Sequence, residues 1–253
     1  MIRYIALIAL LAGASFAEPL NYNPGAGASS GDGFYIHVTD TDIDGSFELV
    51  TGDAQFAATA KDSVIYVAHD TTSAGTVTDT AYVTVTGLSV SGRRIEQQLA
   101  IAGGDTAVTD SAIHWYESAY LDSTMAGTFK VFHTKGSAVQ LGTIAAGVFW
   151  EPQALVVFGK PDRPVLDYFI IENNGGGNST SYELRLYPQT GPFWSFSADY
   201  DVIVSGTIAN GGEPHQWAIG KQLPQKSAIA VVAKGGAVDQ SISATLIGRR
   251  RAY

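Results

Sequence analysis

The stretch from Thr80 to Leu121, TAYVTVTGLSVSGRRIEQQLAIAGGDTAVTDSAIHWYESAYL, carries the pattern that decides the fold. Apolar and polar residues alternate over Thr80–Val90 and again over Ile95–Ile101, which is typical of β-strands. The turn-forming pairs Ser91-Gly92 and Gly103-Gly104 bound these segments. The stretch therefore predicts a series of short strands joined by turns.

The same two-residue period extends along most of the chain. Further strand candidates, bounded by residues that favour turns, are Phe34–Val38, Ser63–His69, Thr128–His133, Ala154–Lys160, Val165–Glu172, Ser181–Tyr187, Asp201–Ile208, Ser227–Ala233 and Gln240–Ile247. Beyond the first segment, no stretch has the 3.6-residue period of a long helix. Many short strands without helices predict an all-β fold of the β-sandwich or jelly-roll kind.

Changes in composition indicate how the chain is divided into domains. Residues 18–33 are rich in Gly, Ser and Pro, which predicts an arm or linker. The stretch Gly142–Gly147 separates residues 34–141 from residues 142–253. Each part has roughly the 100 residues of a typical β-sandwich, so we expect two consecutive sandwich domains, the second with a basic C-terminal tail.

Residues 1–17, MIRYIALIALLAGASFA, have the pattern of a secretory signal peptide. One Arg precedes an apolar run from Tyr4 to Ala12, and the small residues Ala14, Ser15 and Ala17 follow it. The run is too short for a bilayer-spanning helix of about 20 residues. Two interpretations stay open: cleavage after export, or a retained apolar arm that packs against its own domain or a neighbour.

The composition excludes several functional classes. The 253 residues include no Cys, which excludes disulfide scaffolds, Cys-ligated metal centres and thiol enzymes. The net charge of −9 disfavours a nucleic-acid partner. Charged residues make up 15% of the chain, which is below the roughly 25% of ordinary soluble domains. This deficit favours surfaces that contact other proteins, including further copies of the chain.

An acidic segment after the first strand candidate is a candidate metal site. Asp40, Asp42 and Asp44 alternate along it and a Gly follows, as in the first half of a calcium-binding loop. Glu48 or Asp53 can complete the oxygen ligands. The twelfth loop position is Thr51 rather than Glu, and no helices flank the segment, which excludes an EF-hand. The alternatives are a looser calcium site and an acidic β-turn built for turn geometry.

Aromatic and basic residues supply the candidate interaction sites. The four Trp residues, all in or beside strand candidates, are Trp115, Trp150, Trp194 and Trp217. They are core residues, anchors of a protein interface, or a platform that stacks against sugars. The basic tail consists of Arg249, Arg250 and Arg251. It is either a solvated end or a charged tether onto a neighbouring copy.

No catalytic motif has the structural context that it needs. Gly27–Gly31 matches G-x-S-x-G by letters, but it lies in the arm rather than at a strand-to-helix turn. The five His residues are scattered without the spacing of metal ligands. We therefore expect no enzymatic activity, and no cofactor other than the candidate calcium ion.

Several elements resemble tailed-bacteriophage virion proteins. In Thr80–Leu121, a strand ending in V-T-G-L, a short turn and an alternating strand precede G-x-T-x-V-T-D. Ile144–Gly147, the strand Val156–Lys160 and the closing hairpin Lys226–Leu246 are similar to the same group in order and spacing. The resemblance implies a β-sandwich component of a phage head or tail without catalytic residues. The chain departs from the group at its signal-like start and at Pro161–Pro164.

The leading prediction is a non-enzymatic structural protein of a bacteriophage virion, in the role of a capsid decoration, cement or head-surface protein. Its expected partners are other virion proteins and further copies of itself, with no nucleic acid and no membrane span. The alternative is a secreted or periplasmic bacterial β-sandwich protein for carbohydrate binding or adhesion. That protein would use the Trp residues, with calcium bound at the acidic segment.

Overall fold

The fold comes from a computed structural model, which describes residues 33–50, 64–70, 80–102, 104–122, 127–133, 140–147, 154–175, 177–188, 200–236 and 240–250. Strands are the only regular elements in these ranges, so the predicted all-β fold is confirmed. The same ranges contain no helix with the length and apolar character needed to cross a bilayer. Residues 1–32, which hold the signal-like segment and nearly all of the predicted arm, lie outside them.

Sixteen strands occur in the described ranges. In chain order they are β1 (Gly33–Ile43), β2 (Glu48–Leu49), β3 (Tyr66–Asp70), β4 (Ala81–Leu88), β5 (Arg94–Ile101), β6 (Thr106–Val108), β7 (Trp115–Leu121), β8 (Thr128–Phe132), β9 (Gln140–Ile144), β10 (Leu155–Phe158), β11 (Val165–Gly175), β12 (Thr180–Pro188), β13 (Asp201–Ile208), β14 (His215–Gln222), β15 (Ser227–Lys234) and β16 (Gln240–Arg249).

The strands form four antiparallel sheets, numbered here in the order in which they pack against each other. Sheet I has the strand order β1-β16-β11-β14, and sheet II has the order β10-β15-β12-β13 with β2 also paired to β15. Sheet III has the order β5-β4-β7, and sheet IV has the order β6-β3-β8-β9. Sheets packed in pairs are a β-sandwich architecture. A jelly-roll strand order stays a prediction.

Sheets I and II enclose the larger core. Strand β1 shows how the sequence builds it, because Phe34, Ile36 and Val38 are buried while Tyr35 and His37 between them are exposed. This alternation is the two-residue period of a strand with one face against a core. Buried strands of sheet II supply the opposite wall of the same cluster.

Sheets III and IV enclose a second core. Val83 and Val85 of β4 face Phe129 and Val131 of β8 in one cluster of buried residues. All four side chains are fully buried. Each such side chain contributes roughly 1.5–3 kcal/mol through its removal from water. The two sandwiches therefore have separate hydrophobic cores.

A third cluster joins the two sandwiches. It contains residues of sheets II and III, namely Leu49, Leu88, Trp115, Leu155, Val157, Tyr187, Ala228 and Ala230. Sheet II is therefore covered on both faces, and seven of the eight residues of β15 are buried. A strand with both faces covered is apolar along its whole length rather than alternating. We call this group the shared cluster.

Strand pairing groups the residues differently from the prediction of one sandwich at 34–141 and another at 142–253. Strand β1 pairs with β16, and β2 pairs with β15, so the first two strands belong to the sheets built mainly from the C-terminal half. Sheets III and IV use only strands from β3 to β9. The difference arises because strand pairing depends on the tertiary fold, whereas composition changes only along the chain. Whether either sandwich folds as an independent domain stays a prediction.

Candidate protein-interaction surface

Of the predicted calcium ligands, Asp40 and Asp42 lie at the end of β1, Asp44 lies in the turn that follows, and Glu48 is the first residue of β2. Asp53 lies outside the described residues. The N–H of Asp42 donates a hydrogen bond to Asp40 Oδ1 at 3.0 Å, and the N–H of Asp44 donates to Glu48 Oε1 at 2.7 Å. Both the N–H and the hydroxyl of Ser46 donate to Asp44 Oδ1 at 3.0 Å. Three of the carboxylates thus accept hydrogen bonds that shape the turn.

Electrostatics in this turn reflect crowded carboxylates. Burial raises the pKa of Glu48, and the nearby carboxylates of Asp44, Asp40 and Asp42 raise it further, against the hydrogen bond from the Asp44 N–H, which lowers it. Among the residues that the structure describes, no group of three or more His, Asp or Glu side chains is arranged to hold a metal ion. The hydrogen bonds match the acidic-turn alternative, and calcium binding stays a prediction.

Trp115 lies inside the molecule rather than on its surface. Its side chain is 3% exposed and belongs to the shared cluster, together with Leu88 of the neighbouring strand. Trp115 is therefore too buried in this chain to anchor an interface with another protein. Trp115 faces sheet II, because the two sandwiches pack together at that point, and it anchors an internal interface.

Trp217 packs against the core of sheets I and II. Its ring stacks on Phe169 with centroids 5.4 Å apart and meets Tyr182 edge-on at 5.6 Å. Tyr182 Oη and His215 Nδ1 share a hydrogen bond of 2.7 Å beside it. These contacts bury Trp217 in part, and Phe169 covers one face of its ring. Trp150 and Trp194 lie outside the described residues.

Two of the three predicted tail arginines are held by their own chain. Arg249 donates from Nε and Nη2 to the two carboxylate oxygens of Asp167, at 2.8 Å and 2.6 Å. Arg250 forms an ion pair with Glu117 of β7 and lies over the ring of Phe158, 5.8 Å from its centroid. These contacts join the end of β16 to β11 and β7 of the same chain. Arg251 lies outside the described residues.

Glu117 is the centre of a buried ion-pair group that sequence reasoning missed. Its carboxylate, 4% exposed, accepts hydrogen bonds from Arg94 Nη1 and Arg250 Nη2. The backbone N–H of Val157 also donates to Glu117 Oε1, at 3.3 Å. Arg94 Nη2 in turn lies 3.4 Å from the carbonyl oxygen of Val157. The group therefore links β5 and β7 of sheet III to β10 of sheet II and to the end of β16.

The charge state of this group follows from its geometry. Burial raises the pKa of Glu117, but the cations of Arg250 and Arg94 and their hydrogen bonds outweigh burial and hold the pKa below its ordinary value. The carboxylate is therefore charged at neutral pH. A sequence signal existed, because Glu117 is the only charged residue in Ala112–Leu121, the mostly apolar end of the stretch Thr80–Leu121. A lone charge in an apolar strand indicates a buried partner elsewhere.

The outer face of sheet I is a candidate surface for a partner. We define it by the side chains that point away from sheet II in two register rows of the four strands. One row is Tyr35, Ile247, Tyr168 and Ala218, and the other is His37, Thr245, Ile170 and Gln216. Tyr35 and Tyr168 are 44% and 48% exposed. The two rows contain no Asp, Glu, Lys or Arg.

Hydrogen bonds between neighbouring strands order the polar side chains of this face. His37 Nδ1 and Thr245 Oγ1 share a hydrogen bond of 2.8 Å, and Thr39 Oγ1 lies 2.7 Å from Ser243 Oγ in the adjoining row. These cross-strand pairs use polar groups inside the face, so they leave an aromatic and aliphatic surface between them. The two rows are therefore uncharged on a chain with net charge −9, and they are bordered by Glu172 in the row of Ser243 and by Arg249 in the row beyond Ile247.

Comparisons with known proteins leave the family open. No protein-family model and no curated protein matches the chain. Among solved structures, the PBSX exported protein XepA is 10% identical with a TM-score of 0.20, over 85% of this chain and 84% of that one. Infectious bursal disease virus of the Gx strain is 11% identical with a TM-score of 0.25, over 88% and 72%. At such TM-scores these similarities carry no argument about fold or function.

Proposed function

We propose that the protein is a non-enzymatic structural component of a bacteriophage particle, in the role of a capsid decoration or cement protein. The outer face of sheet I is the observation that carries this proposal. It exposes Tyr35 and Tyr168 beside Ile170 and Ile247 without any charged residue in the same rows. The sequence resemblance of Thr80–Leu121 to tailed-bacteriophage virion proteins supports the choice of particle.

The composition of this face is suited to a protein partner. Interface cores are depleted in charged residues and enriched in Tyr, and contiguous exposed apolar patches mark interaction sites. The chain meets these conditions on a sheet whose opposite side is packed on a large core. Packing on that core already orders the sheet, so little conformational entropy is lost on binding.

Two carboxylates, the buried Glu117 and the more exposed Asp167, have structural partners. Glu117 is neutralised by Arg94 and Arg250, and Asp167 is paired with Arg249. Each of these pairs links neighbouring strands or sheets. The carbohydrate-binding alternative relies on the Trp residues, and of those the structure describes, Trp115 is buried and Trp217 stacks on Phe169. No observation therefore favours it.

The test is to look for the chain in particles of the virus that encodes it, and then to measure binding to particles assembled without it. We expect the chain in purified particles. We also expect Tyr168→Lys to weaken binding by at least about tenfold, because a charge is placed in the centre of the apolar surface. The matched control is Tyr82→Lys, since Tyr82 has a similar exposure of 43% but lies on sheet III.

Two results would contradict the proposal. One is absence of the chain from the particles together with no binding to particles assembled without it. The other is an equal loss of binding for Tyr168→Lys and Tyr82→Lys, which would show that binding does not depend specifically on the outer face of sheet I. Circular dichroism of both variants checks that the β-fold is retained.

A further inference from the structure

The outer edge of β1, meaning the side that faces away from β16, is a second surface of interest. Strand β1 is the terminal strand of sheet I, and among the described residues no other strand pairs with that edge. Its pairing with β16 is regular from Gly33 to Asp40, and the first register shift comes only between Asp40 and Ile43. The seven residues Gly33–Thr39 therefore form a regular edge with backbone groups that can accept a further strand.

The other terminal strands carry the features that usually prevent such pairing. Strand β14 contains Lys221 and Gly220, the latter with φ of 58°, and β13 has a register shift against β12. Strand β5 carries Arg94 and Glu96. Strands β6 and β10 have only three and four residues, and β7 and β9 have register shifts. Charges, bulges and short length all discourage edge-to-edge pairing.

Strand β1 lacks these features over its first seven residues. Gly33–Thr39 contains no Asp, Glu, Lys, Arg or Pro. Its residues alternate strictly between buried and exposed. A partner that recognised this strand by charge would require charged residues along the edge, and the first charged residue of β1 is Asp40. The edge is suited to an equally neutral strand.

We propose that β1 pairs with β1 of a second copy of the chain, antiparallel and centred on Ile36. In this register Ile36 faces its own counterpart, Phe34 faces Val38, and Tyr35 faces His37 across a two-fold axis. Buried residues then meet buried residues and exposed residues meet exposed ones, as an isologous interface requires. The two four-stranded sheets become one sheet of eight strands, and two copies can approach despite the net charge of −9 on each.

The pairing goes beyond the proposed function and does not depend on it. A two-fold axis perpendicular to the sheet leaves the outer faces of both copies on the same side. The dimer therefore presents a continuous surface twice as wide as the outer face of one chain. Backbone hydrogen bonds would supply the affinity, and the facing side chains would fix the register.

The first test is the association state in solution. Analytical ultracentrifugation should give a mass twice the 26.7 kDa of one chain. We expect Tyr35→Lys to raise the dimer dissociation constant by at least about tenfold, because the two-fold axis brings in two edge lysines at once. Tyr168→Lys is the matched control, since Tyr168 lies in the same row of the outer face but on the inner strand β11. It should leave the dimer unchanged.

Cysteine cross-linking tests the register. The chain contains no Cys, so introduced thiols are the only ones present. Facing residues of antiparallel strands have Cα atoms roughly 4.5–5.5 Å apart, within the range that a disulfide spans. The double variant Tyr35→Cys/His37→Cys should therefore form a covalent dimer on mild oxidation. Tyr168→Cys/Ile170→Cys, which occupies the same two rows on β11, should not.

Three outcomes would overturn the pairing. They are a monomer at every concentration tested, equal dissociation by Tyr35→Lys and Tyr168→Lys, and equal cross-linking of the two double-cysteine variants. If Tyr35→Lys does not fold, the cross-linking result decides. A dimer that fails to bind virus particles would contradict only the proposed function, whereas a monomer that binds them would contradict only this inference.

Discussion

Glu117 shows how a single residue controls the contact between the two sandwiches. A buried carboxylate is costly unless it is paired and hydrogen-bonded, and here two arginines and one backbone N–H surround it. The side chains of Arg94 and Arg250 are themselves largely buried. Removing the carboxylate charge would therefore leave two cations in a poorly solvated position, which is the expensive half of a broken buried ion pair.

The Glu117→Gln variant should be less stable by about 3 kcal/mol at pH 7, because it keeps the volume of the side chain but removes its charge. Urea unfolding measures the difference. Glu96→Gln is the control, since Glu96 is an exposed residue of β5 whose carboxylate accepts a hydrogen bond from the Tyr120 hydroxyl at 3.0 Å. Its effect should stay within about 0.5 kcal/mol.

Acid pH gives an internal check on the same variant. The pKa of Glu117 is lower in the folded chain than its ordinary value of 4.5, because the arginines outweigh burial. A carboxylate whose pKa is lower in the folded state stabilises the fold at pH values above its ordinary pKa. This stabilisation is lost as the pH falls through the folded-state pKa. The difference in stability between the unaltered chain and the Glu117→Gln variant should therefore shrink below pH 4.5. A difference that persists unchanged in acid would contradict this account.

At the scale of elements, the junction of β4 and β7 places Glu117 where the arginines can reach it. The β4–β7 register shifts between Thr86 and Gly87, so that Glu117 is the extra residue of a β-bulge on β7. Consecutive side chains of a strand point to opposite faces of its sheet. Tyr116 points into the core of sheets III and IV, whereas Glu117 points toward sheet II.

Gly87 permits this bulge, and Gly87→Ala tests its importance. A Cβ atom at residue 87 would overlap the carbonyl oxygen of Trp115 and lie 2.5 Å from Ile113 Cγ2. Because a backbone atom cannot move aside easily, the variant should lose about 2 kcal/mol of stability, measured by thermal unfolding. Gly33→Ala is the control, since the nearest atom to its Cβ would be 3.7 Å away. Equal losses in the two variants would show that the close approach is unimportant.

Local patterns in the sequence predict much of the fold but not the pairing of its strands. Alternation in Thr80–Val90 and Ile95–Ile101 predicts β4 and β5, because burial of one face is a property of consecutive residues. Strand β14 was not predicted: only one side of it is partly buried, and Gly220 with positive φ interrupts its end. The Glu117 group combines residues 94, 117 and 250, which only the tertiary fold brings together.

At the scale of the whole molecule, the order of the strands explains why a linear division of the chain differs from the structure. Strand β1 pairs with β16 from the other end of the described chain, while sheets III and IV lie between β2 and β10 in sequence. The shared cluster and the Glu117 group then hold the two sandwiches together.

The shared cluster should transmit a loss of stability from one sandwich to the other. Leu88 and Val85 stand on the same strand and are both fully buried, but Leu88 belongs to the shared cluster and Val85 to the core of sheets III and IV. Leu88→Ala should lower the free energy of unfolding by about 2–5 kcal/mol. Hydrogen exchange measured by mass spectrometry should then accelerate in β15 of sheet II as well as in β4.

Val85→Ala is the matched control for this prediction, because it removes a similar apolar group from the opposite face of β4. It should accelerate exchange in sheets III and IV and leave β15 close to its original rate, since the lost contacts are confined to that core. Comparison of the two variants separates transmission through the shared cluster from general destabilisation. If β15 exchanged at its original rate in the Leu88→Ala protein, the sandwiches would be energetically independent in spite of their contact.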